Sequence, residues 1–146
     1  MLTVRSILQT KGSQVYSVNA DQTVYDALKV LAEKQIGAVL VMDGETLCGI
    51  FSERDYARKI VLKGLISKDT PVSEVMTHDV ISVGPDANVL ESMDLMTQKH
   101  IRHLPVMEGN KILGLITLGD AVDKIIHSQR ETIESLESYI KGGYYS

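Results

Sequence analysis

The amino-acid sequence contains an internal repeat, and no other feature restricts the fold as strongly. Shifting the 146-residue sequence by 65 positions places residues 15–62 on residues 80–127 without a gap. About 14 of the aligned pairs are identical, from Val15 with Val80 at one end to Ile60 with Ile125 at the other. Each copy therefore carries the same order of apolar and turn-forming residues, which predicts two similar modules.

Each copy is predicted to form five short elements in the order β-α-β-β-α. The helical spacing of Val24, Leu28 and Leu31 indicates a helix after the first strand. Two apolar segments flank a turn at Gly44 in one copy and at Gly109 in the other, which is a hairpin pattern. The predicted elements are strands at 15–18 and 80–83, helices that start at 24 and 89, strands at 38–42 and 104–107, strands at 47–51 and 112–116, and helices near 53–63 and 118–128.

The small size of each copy predicts that the two copies pack together. One copy cannot bury much surface alone, so the two are expected to pack through their sheets. The expected fold is α+β with α/β layers, pseudo-twofold symmetry and two related clefts between the copies, where small ligands usually bind. The predicted boundaries are repeat 1 at 1–66, a linker at 67–71, repeat 2 at 72–128, a C-terminal amphipathic helix at 129–141 and a tail at 142–146.

The C-terminal helix carries an apolar stripe that needs a partner. Ile133, Leu136 and Ile140 follow helical spacing, and Glu131 and Glu134 lie on other faces. The stripe packs either on its own domain or against a second copy in a dimer, and the sequence leaves both alternatives open.

Composition excludes several classes of protein. The apolar (44%) and charged (23%) fractions are those of a globular chain, which excludes disorder. A net charge of −4 argues against broad nucleic-acid or anionic-membrane binding, because both depend on clustered Lys and Arg. Cys48 is the single cysteine, which excludes an intramolecular disulfide and a CxxC site. No apolar segment reaches the length of a membrane span, and residues 1–10 lack a signal-peptide pattern, so we expect a cytoplasmic protein.

Two aligned segments at strand-to-helix junctions carry the most informative polar residues. Ser52 precedes Asp55 by three residues, and Thr117 precedes Asp120 in the same way. This spacing is close to a capping box, so one interpretation is that these residues only start two helices. The other interpretation is a nucleotide site, because a helix N-terminus with a hydroxyl suits phosphate and a carboxylate suits the hydroxyls of a ribose.

Basic residues are shared unequally between the copies. Arg54 and Arg58 belong to the first copy, whereas Arg102 and His103 precede a strand of the second. Both pairs have a plain structural interpretation, as an exposed helix face and as a solvated strand entrance. If they contact ligand, the two clefts differ in ligand preference.

The remaining candidates do not indicate a metal site or catalysis. His100 and His103 are three residues apart, but no Cys or carboxylate cluster completes a ligand set. Cys48 lies in an apolar strand, where a buried and inert thiol is expected. We find no Walker loop, GxGxxG motif or nucleophile-base pair, so the chain is not predicted to be an enzyme.

The duplicated unit, the strand at 101–106 and the segment at 114–120 together resemble CBS domains, the regulatory repeats named after cystathionine β-synthase. A tandem pair of such domains is a Bateman module. The resemblance covers residues 4–127, and the first copy departs from it at Leu40, where the second copy has Pro105. The segment at 51–59 and the C-terminal helix resemble small stand-alone bacterial CBS-pair proteins.

The resemblance implies adenosyl ligands in the clefts: AMP, ADP, ATP, NAD(H) or S-adenosylmethionine. Asp55 and Asp120 resemble the ribose-binding aspartates of the family, and Ser52 and Thr117 its phosphate-contacting hydroxyls. The other implied ligand-binding residues are a basic pair, an adenine wall, the first-copy arginines and the loops at 13–16 and 77–81; the residues are Arg102, His103, Ile36, Gly37, Ala38, Ile101, Arg54, Arg58, Tyr16, His78 and Val80.

The family also implies a homodimer and a separate effector protein. We therefore expect a non-catalytic regulatory module that senses adenine nucleotides, with signal transduction or energy and redox sensing as its role. A ligand-free dimerisation or scaffold module is the alternative. Nucleic-acid binding is a third and disfavoured interpretation, which would need basic residues gathered on one face, namely Arg5, Lys11, Arg54, Arg58, Lys59 and Lys63.

Overall fold

The computed structural model describes residues 2–145 and divides the chain into two compact units. The middle unit is Gln14–Ile81, and the terminal unit joins residues 2–13 to residues 82–145. The segment that leads into each repeat therefore packs in the unit formed by the other repeat. The boundaries of the repeats in sequence and of the units in space do not coincide.

The elements follow the chain in an order that repeats. They are α1 (Val4–Lys11), β1 (Ser17–Asn19), α2 (Val24–Lys34), β2 (Ala38–Asp43), β3 (Thr46–Ser52), α3 (Glu53–Asp55), a π-helical segment (Tyr56–Val61), a 3₁₀ turn (Val72–Glu74), α4 (Val89–Lys99), β4 (His103–Glu108), β5 (Lys111–Thr117) and α5 (Leu118–Tyr145). The expected α+β class is confirmed, with helices packed on small sheets.

The middle unit is built on a three-stranded sheet in the order β1-β2-β3. β1 is parallel to β2, and β2 is antiparallel to β3, with Ala38 opposite Ser52. The β2 strand is buried on both faces over its first four residues, as expected for the centre of a sheet. Helix α2, the π-helical segment and the 3₁₀ turn cover it; the core residues are Val18, Val24, Ala27, Leu31, Val39, Val41, Phe51, Ile60, Val72 and Val75.

The terminal unit has the same hairpin but lacks the third strand. β4 pairs with β5, and the segment that we predicted as a strand at 80–83 contributes only a bridge from Val83 to Val106. The reason is Pro105. In the middle unit the N–H of Leu40 donates to the carbonyl of Tyr16 at 3.1 Å, and the aligned Pro105 has no N–H to donate.

Helix boundaries repeat more closely than strands. Thr23 caps α2 through a capping box with Asp26, and the Asn88 side chain accepts hydrogen bonds from the first turn of α4. Both helices end at a residue in the left-handed region, Gln35 (φ 54°) and His100 (φ 55°). Both hairpins have a register shift directly after an aligned valine, Val41 in β2 and Val106 in β4. At these positions the backbone follows the sequence repeat down to single residues.

Helix α1 was absent from the sequence predictions, although Val4, Ile7 and Leu8 have helical spacing. Val4 and Ile7 are buried, and the N–H of Val4 donates to the carbonyl of Ala87 at 2.9 Å. The terminal unit is therefore completed by a segment that lies far away in sequence.

Two aligned glycines mark where the leading segments pack. A Cβ on Gly114 would lie 2.6 Å from Cδ2 of Leu8, and a Cβ on Gly49 would overlap with Sδ of Met76. Neither glycine has a positive φ, so each is explained by close approach rather than by a turn. Leu8 and Met76 therefore occupy equivalent places in the two units.

Helix α5 differs from prediction. We expected a helix near 118–128, a second helix at 129–141 and a tail at 142–146, but one helix runs from Leu118 to Tyr145. Ser146 lies outside the described residues. In the middle unit the corresponding segment has one short α-turn followed by the π-helical segment. The alternative in which the stripe of Ile133, Leu136 and Ile140 packs on its own unit is not observed, because each side chain is more than half exposed.

Candidate functional site

Asp120 is the centre of a polar cluster at the start of α5. Its Oδ2 accepts a hydrogen bond from the N–H of Thr117 at 2.8 Å, and its own N–H donates to Oγ1 of Thr117 at 3.0 Å. The capping box predicted from the sequence is thus present. The same Oδ2 lies 2.6 Å from Nζ of Lys11, which also donates to the carbonyl of Leu115 at 2.8 Å. The carboxylate thus links the first turn of α5 to the end of α1.

His103 extends this cluster from the neighbouring strand. It lies opposite Thr117 in the β4–β5 ladder and is half-buried. The pKa of His103 is lowered, chiefly because burial disfavours the charged ring, with the positive charges of Lys11 and Arg102 adding to the effect. The carboxylate of Asp120 opposes this shift. The His103 ring, whose charged form is disfavoured, therefore lies near a hydroxyl, a carboxylate and an ammonium group.

Asp55 is the corresponding centre in the middle unit. Its Oδ2 accepts from the N–H and the Oγ of Ser52 at 3.0 and 3.1 Å, and its N–H donates to that Oγ at 3.2 Å. Its Oδ1 lies 3.1 Å from Nζ of Lys59 and 3.4 Å from Oγ1 of Thr77. Asp55 is the more enclosed aspartate, with 13% of its side chain exposed against 24% for Asp120.

The residues that lead into β2 and into β4 place their backbone groups beside the two capping boxes. The carbonyl of Gly37 accepts from the N–H of Glu53 at 3.0 Å, and the carbonyl of Arg102 accepts from the N–H of Leu118 at 2.9 Å. The predicted residues Gly37 and Ala38 therefore adjoin Ser52, and Arg102 and His103 adjoin Thr117 in the same way. Ile36 and Ile101 directly precede these pairs in the chain.

The remaining predicted site residues lie on helical turns or in the segments that connect the helices and strands. Arg54 and Arg58 are exposed on the turns that follow Ser52, and Arg102 is exposed beside half-buried Ile101. Tyr16 is half-buried, accepts from Leu40 through its carbonyl and has Nζ of Lys34 5.2 Å from its ring centre. His78 is exposed and Val80 half-buried in the segment that follows Thr77.

Sequence reasoning did not predict three contacts with the aspartates, those of Lys11, Lys59 and Thr77, although Thr77 begins the loop at 77–81 that the resemblance implies. Lys59 follows Asp55 by four residues, a spacing that predicts an ion pair on a helix. The same rule fails in the second copy, because Lys124 contacts Oγ1 of Thr10 at 3.4 Å instead of Asp120. Nothing in the local sequence indicated that Lys11 or Thr77 contacts an aspartate, because both belong to the segments that lead into the other repeat.

Cys48 and a possible metal site were the other candidates that the sequence offered. Cys48 is half-buried, donates to the carbonyl of Val41 at 3.2 Å, and has a raised pKa because of burial and the nearby Asp43. Within residues 2–145, no group of three His, Cys, Asp or Glu side chains is arranged to hold a metal ion. No helix in this range has the length and apolar composition that crossing a membrane requires.

Comparison with known proteins places this geometry in a family. The model of the CBS domain matches residues 4–62 and 72–127. The mitochondrial CBS domain-containing protein CBSX3 of Arabidopsis thaliana is 38% identical over 151 residues, which cover 97% of this chain and 73% of that protein.

Solved structures agree with the fold. A protein with CBS domains from Burkholderia ambifaria MC40-6 has a TM-score of 0.84 and 48% identity, with 88% of this chain and 96% of that chain covered. A hexameric CBS-CP12 protein from bloom-forming cyanobacteria has a TM-score of 0.75 and 25% identity, with 99% and 88% covered.

Proposed function

This chain belongs to the CBS-domain family, and we propose that it is a regulatory module that binds an adenosine-containing nucleotide and catalyses no reaction of its own. Asp120 and Asp55 take the ribose hydroxyls, and Thr117 and Ser52 contact phosphate. The membership supplies the ligand class, and the two polar clusters supply groups of the right chemistry.

The observation that carries the proposal is the arrangement around Asp120. Among the described residues, the hydrogen bonds and the ion pair of its carboxylate all involve Oδ2. Oδ1 therefore keeps its acceptor capacity for a ligand hydroxyl, and the side chain is partly exposed. A carboxylate with one oxygen fixed by its own helix is held in place before a ribose arrives, as in other nucleotide-binding folds.

The residues around Asp120 in the terminal unit suit a phosphate better than those around Asp55 in the middle unit. Lys11 pairs with Asp120, the carbonyl of Arg102 accepts from the N–H of Leu118, and His103 lies opposite Thr117. All three thus lie near the N-terminal end of the 28-residue α5. The positive end of a helix attracts an anion, and so do the charges of Lys11 and Arg102. In the middle unit the aspartate is more enclosed, and Ala38 takes the place of His103. We therefore assign a nucleoside phosphate such as AMP, ADP or ATP to Asp120, and NAD(H) or S-adenosylmethionine are the other members of the class.

The proposal includes partners. We infer that the chain forms homo-oligomers and relays ligand binding to a separate effector protein. The family membership and the hexameric state of the cyanobacterial neighbour support self-association. Ligand changes a partner contact only if it binds one conformation of the module better than another.

The test measures ligand binding directly. Purified protein is titrated calorimetrically with AMP, ADP, ATP, NAD, NADH and S-adenosylmethionine, and thermal unfolding is followed with each at millimolar concentration. A ligand at about 100 times its Kd stabilises the folded state by roughly 2.7 kcal/mol and raises the unfolding midpoint. We expect at least one of these compounds to bind.

Variants assign the site. Asp120→Asn should weaken binding by roughly ten- to a hundredfold, because a charged hydrogen bond to the ligand is lost. Asp123→Asn, one turn further along α5 and exposed, is the matched control and should leave Kd unchanged. Asp55→Asn reports on the middle unit in the same way.

Two results would overturn the proposal. If none of the six compounds binds a well-folded protein, the ligand-free scaffold function is correct. If Asp120→Asn and Asp55→Asn lower stability but leave calorimetric Kd per folded molecule unchanged, the aspartates act only as helix caps.

A further inference from the structure

The distal half of α5 carries an apolar face that its own unit does not cover. Ala121, in the first turns, is buried, but every side chain from 129 to 141 is exposed. At about 1.5 Å per residue this segment extends roughly 20 Å. Exposed fractions of 41% for Ile126, 55% for Ile133, 56% for Leu136 and 57% for Ile140 show an apolar stripe in contact with solvent.

The stripe has the spacing of a coiled coil. Ile126, Ile133 and Ile140 are seven residues apart and take the a positions of a heptad, and Gln129 and Leu136 take the d positions. Helices with this 3.5-residue repeat bury the seam against another helix of the same kind. A flat or irregular partner surface does not require such a regular repeat, so the pattern favours a helix as the occupant.

The charged residues beside the seam indicate which helix pairs with α5 and whether it runs parallel or antiparallel. Arg130 and Glu137 are the e positions beside the seam, and neither has an ion pair within residues 2–145. When two copies of α5 pair antiparallel, e positions face e positions, so Arg130 meets the partner's Glu137 twice across a twofold axis. In a parallel pair these charges face the g positions, which hold Ile125 and Thr132. The helix is therefore complementary to itself in the antiparallel direction.

We propose that α5 is a self-pairing helix, whose distal half binds the same segment of a second copy antiparallel, with Ile133 against the partner's Leu136. Both e-position ion pairs form, and Gln129 lies near the seam ends, where a polar side chain reaches water. The contact covers side chains that the single chain leaves exposed.

Cysteine cross-linking tests the direction of pairing. In a Cys48→Ala background, Ile133→Cys and Leu136→Cys are made separately and mixed at low micromolar concentration with oxidised glutathione. Antiparallel pairing places residue 133 against residue 136, so the mixture should form heterodisulfides at least tenfold faster than Ile133→Cys forms homodisulfides alone. Ser138→Cys, at the outward f position, is the matched control and should cross-link only at the collision rate.

A charge exchange gives a second readout that needs no cysteine. Arg130→Glu and Glu137→Arg each place like charges together in a homodimer and should weaken self-association at least tenfold by sedimentation equilibrium. An equimolar mixture of the two restores both ion pairs and should associate as tightly as the unmodified protein. Association through other surfaces is common to every variant and cancels in this comparison.

Two outcomes would overturn the inference. Faster self-linking of Ile133→Cys than of the mixture would indicate a parallel pair. Equal rates for the mixture and for Ser138→Cys, together with no change in association for either charge variant, would show that α5 has a different partner or none.

Discussion

The two aspartate clusters are equivalent in sequence but not in construction. In the middle unit, Asp55 is paired with Lys59, four residues later in the same segment. In the terminal unit, Asp120 is paired with Lys11, which comes from the other end of the chain. A duplicated motif therefore preserves the aspartate and its capping hydroxyl, whereas the cation beside the aspartate comes from a different element in each unit.

The strand entrances differ as well. The terminal unit has His103 and Pro105 where the middle unit has Ala38 and Leu40. The proline removes a backbone donor and with it the third strand, and the histidine adds a titratable ring beside the aspartate. The terminal unit thus has the smaller sheet and the more polar site, and Leu8 of α1 packs against its hairpin at Gly114.

Filling the space beneath each hairpin should have the largest effect. Gly114→Ala places a Cβ against Leu8, and Gly49→Ala places one against Met76 and 3.1 Å from the carbonyl of Thr77. Each variant should lower the free energy of unfolding by about 1–3 kcal/mol, because a packed core accommodates an extra methyl only by moving its neighbours. Urea denaturation at one pH measures both.

Compensating variants show whether the named contact is responsible. Gly114→Ala combined with Leu8→Ala should lose less free energy of unfolding than the sum of the two single losses, because the smaller side chain leaves room for the added methyl. Gly49→Ala combined with Met76→Ala should behave in the same way. If both double variants are simply additive, the leading segments do not occupy equivalent places, and the comparison between the units fails at this point.

Much of this fold was predictable from the sequence, and the failures have physical causes. The hairpins, α2 and α4 are set by local spacing and turn residues, so the periodic pattern of Val24, Leu28 and Leu31 was enough. The strand predicted at 80–83 is missing because Pro105, in another strand, has no N–H to donate to it. The capping boxes at Asp55 and Asp120 are local and were predicted, but their lysine partners were not. Lys11 contacts Asp120 across 109 residues, and no local pattern encodes such a contact.

Removing the lysines tests the difference in construction directly. Lys11→Met and Lys59→Met should each lower the free energy of unfolding by about 1 kcal/mol, since each loses a partly exposed ion pair and a hydrogen bond to a backbone carbonyl. Lys124→Met is the matched control, because Lys124 aligns with Lys59 but, within residues 2–145, its ammonium group bonds only to Oγ1 of Thr10.

Thermal or urea unfolding at low and high salt measures these three variants. Lys124→Met should cost clearly less than Lys59→Met, and the losses in the other two should shrink as salt screens the pairs. Equal losses for Lys124→Met and Lys59→Met would mean that the two units use equivalent lysines after all.

The titration of His103 should have the smallest effect, and it concerns the terminal unit alone. Because the pKa of His103 is lowered in the folded protein, the unfolded chain binds a proton first as pH falls below about 6.5. Its contribution to stability is therefore complete above that pH and is lost as pH falls toward the pKa of the folded state. His103→Ala, which copies Ala38, should remove this slope between pH 7 and pH 5, measured by urea denaturation. If His103→Ala keeps the slope, the ring is as free to accept a proton in the folded chain as in the unfolded one, and the polar difference between the two units lies in the lysines alone.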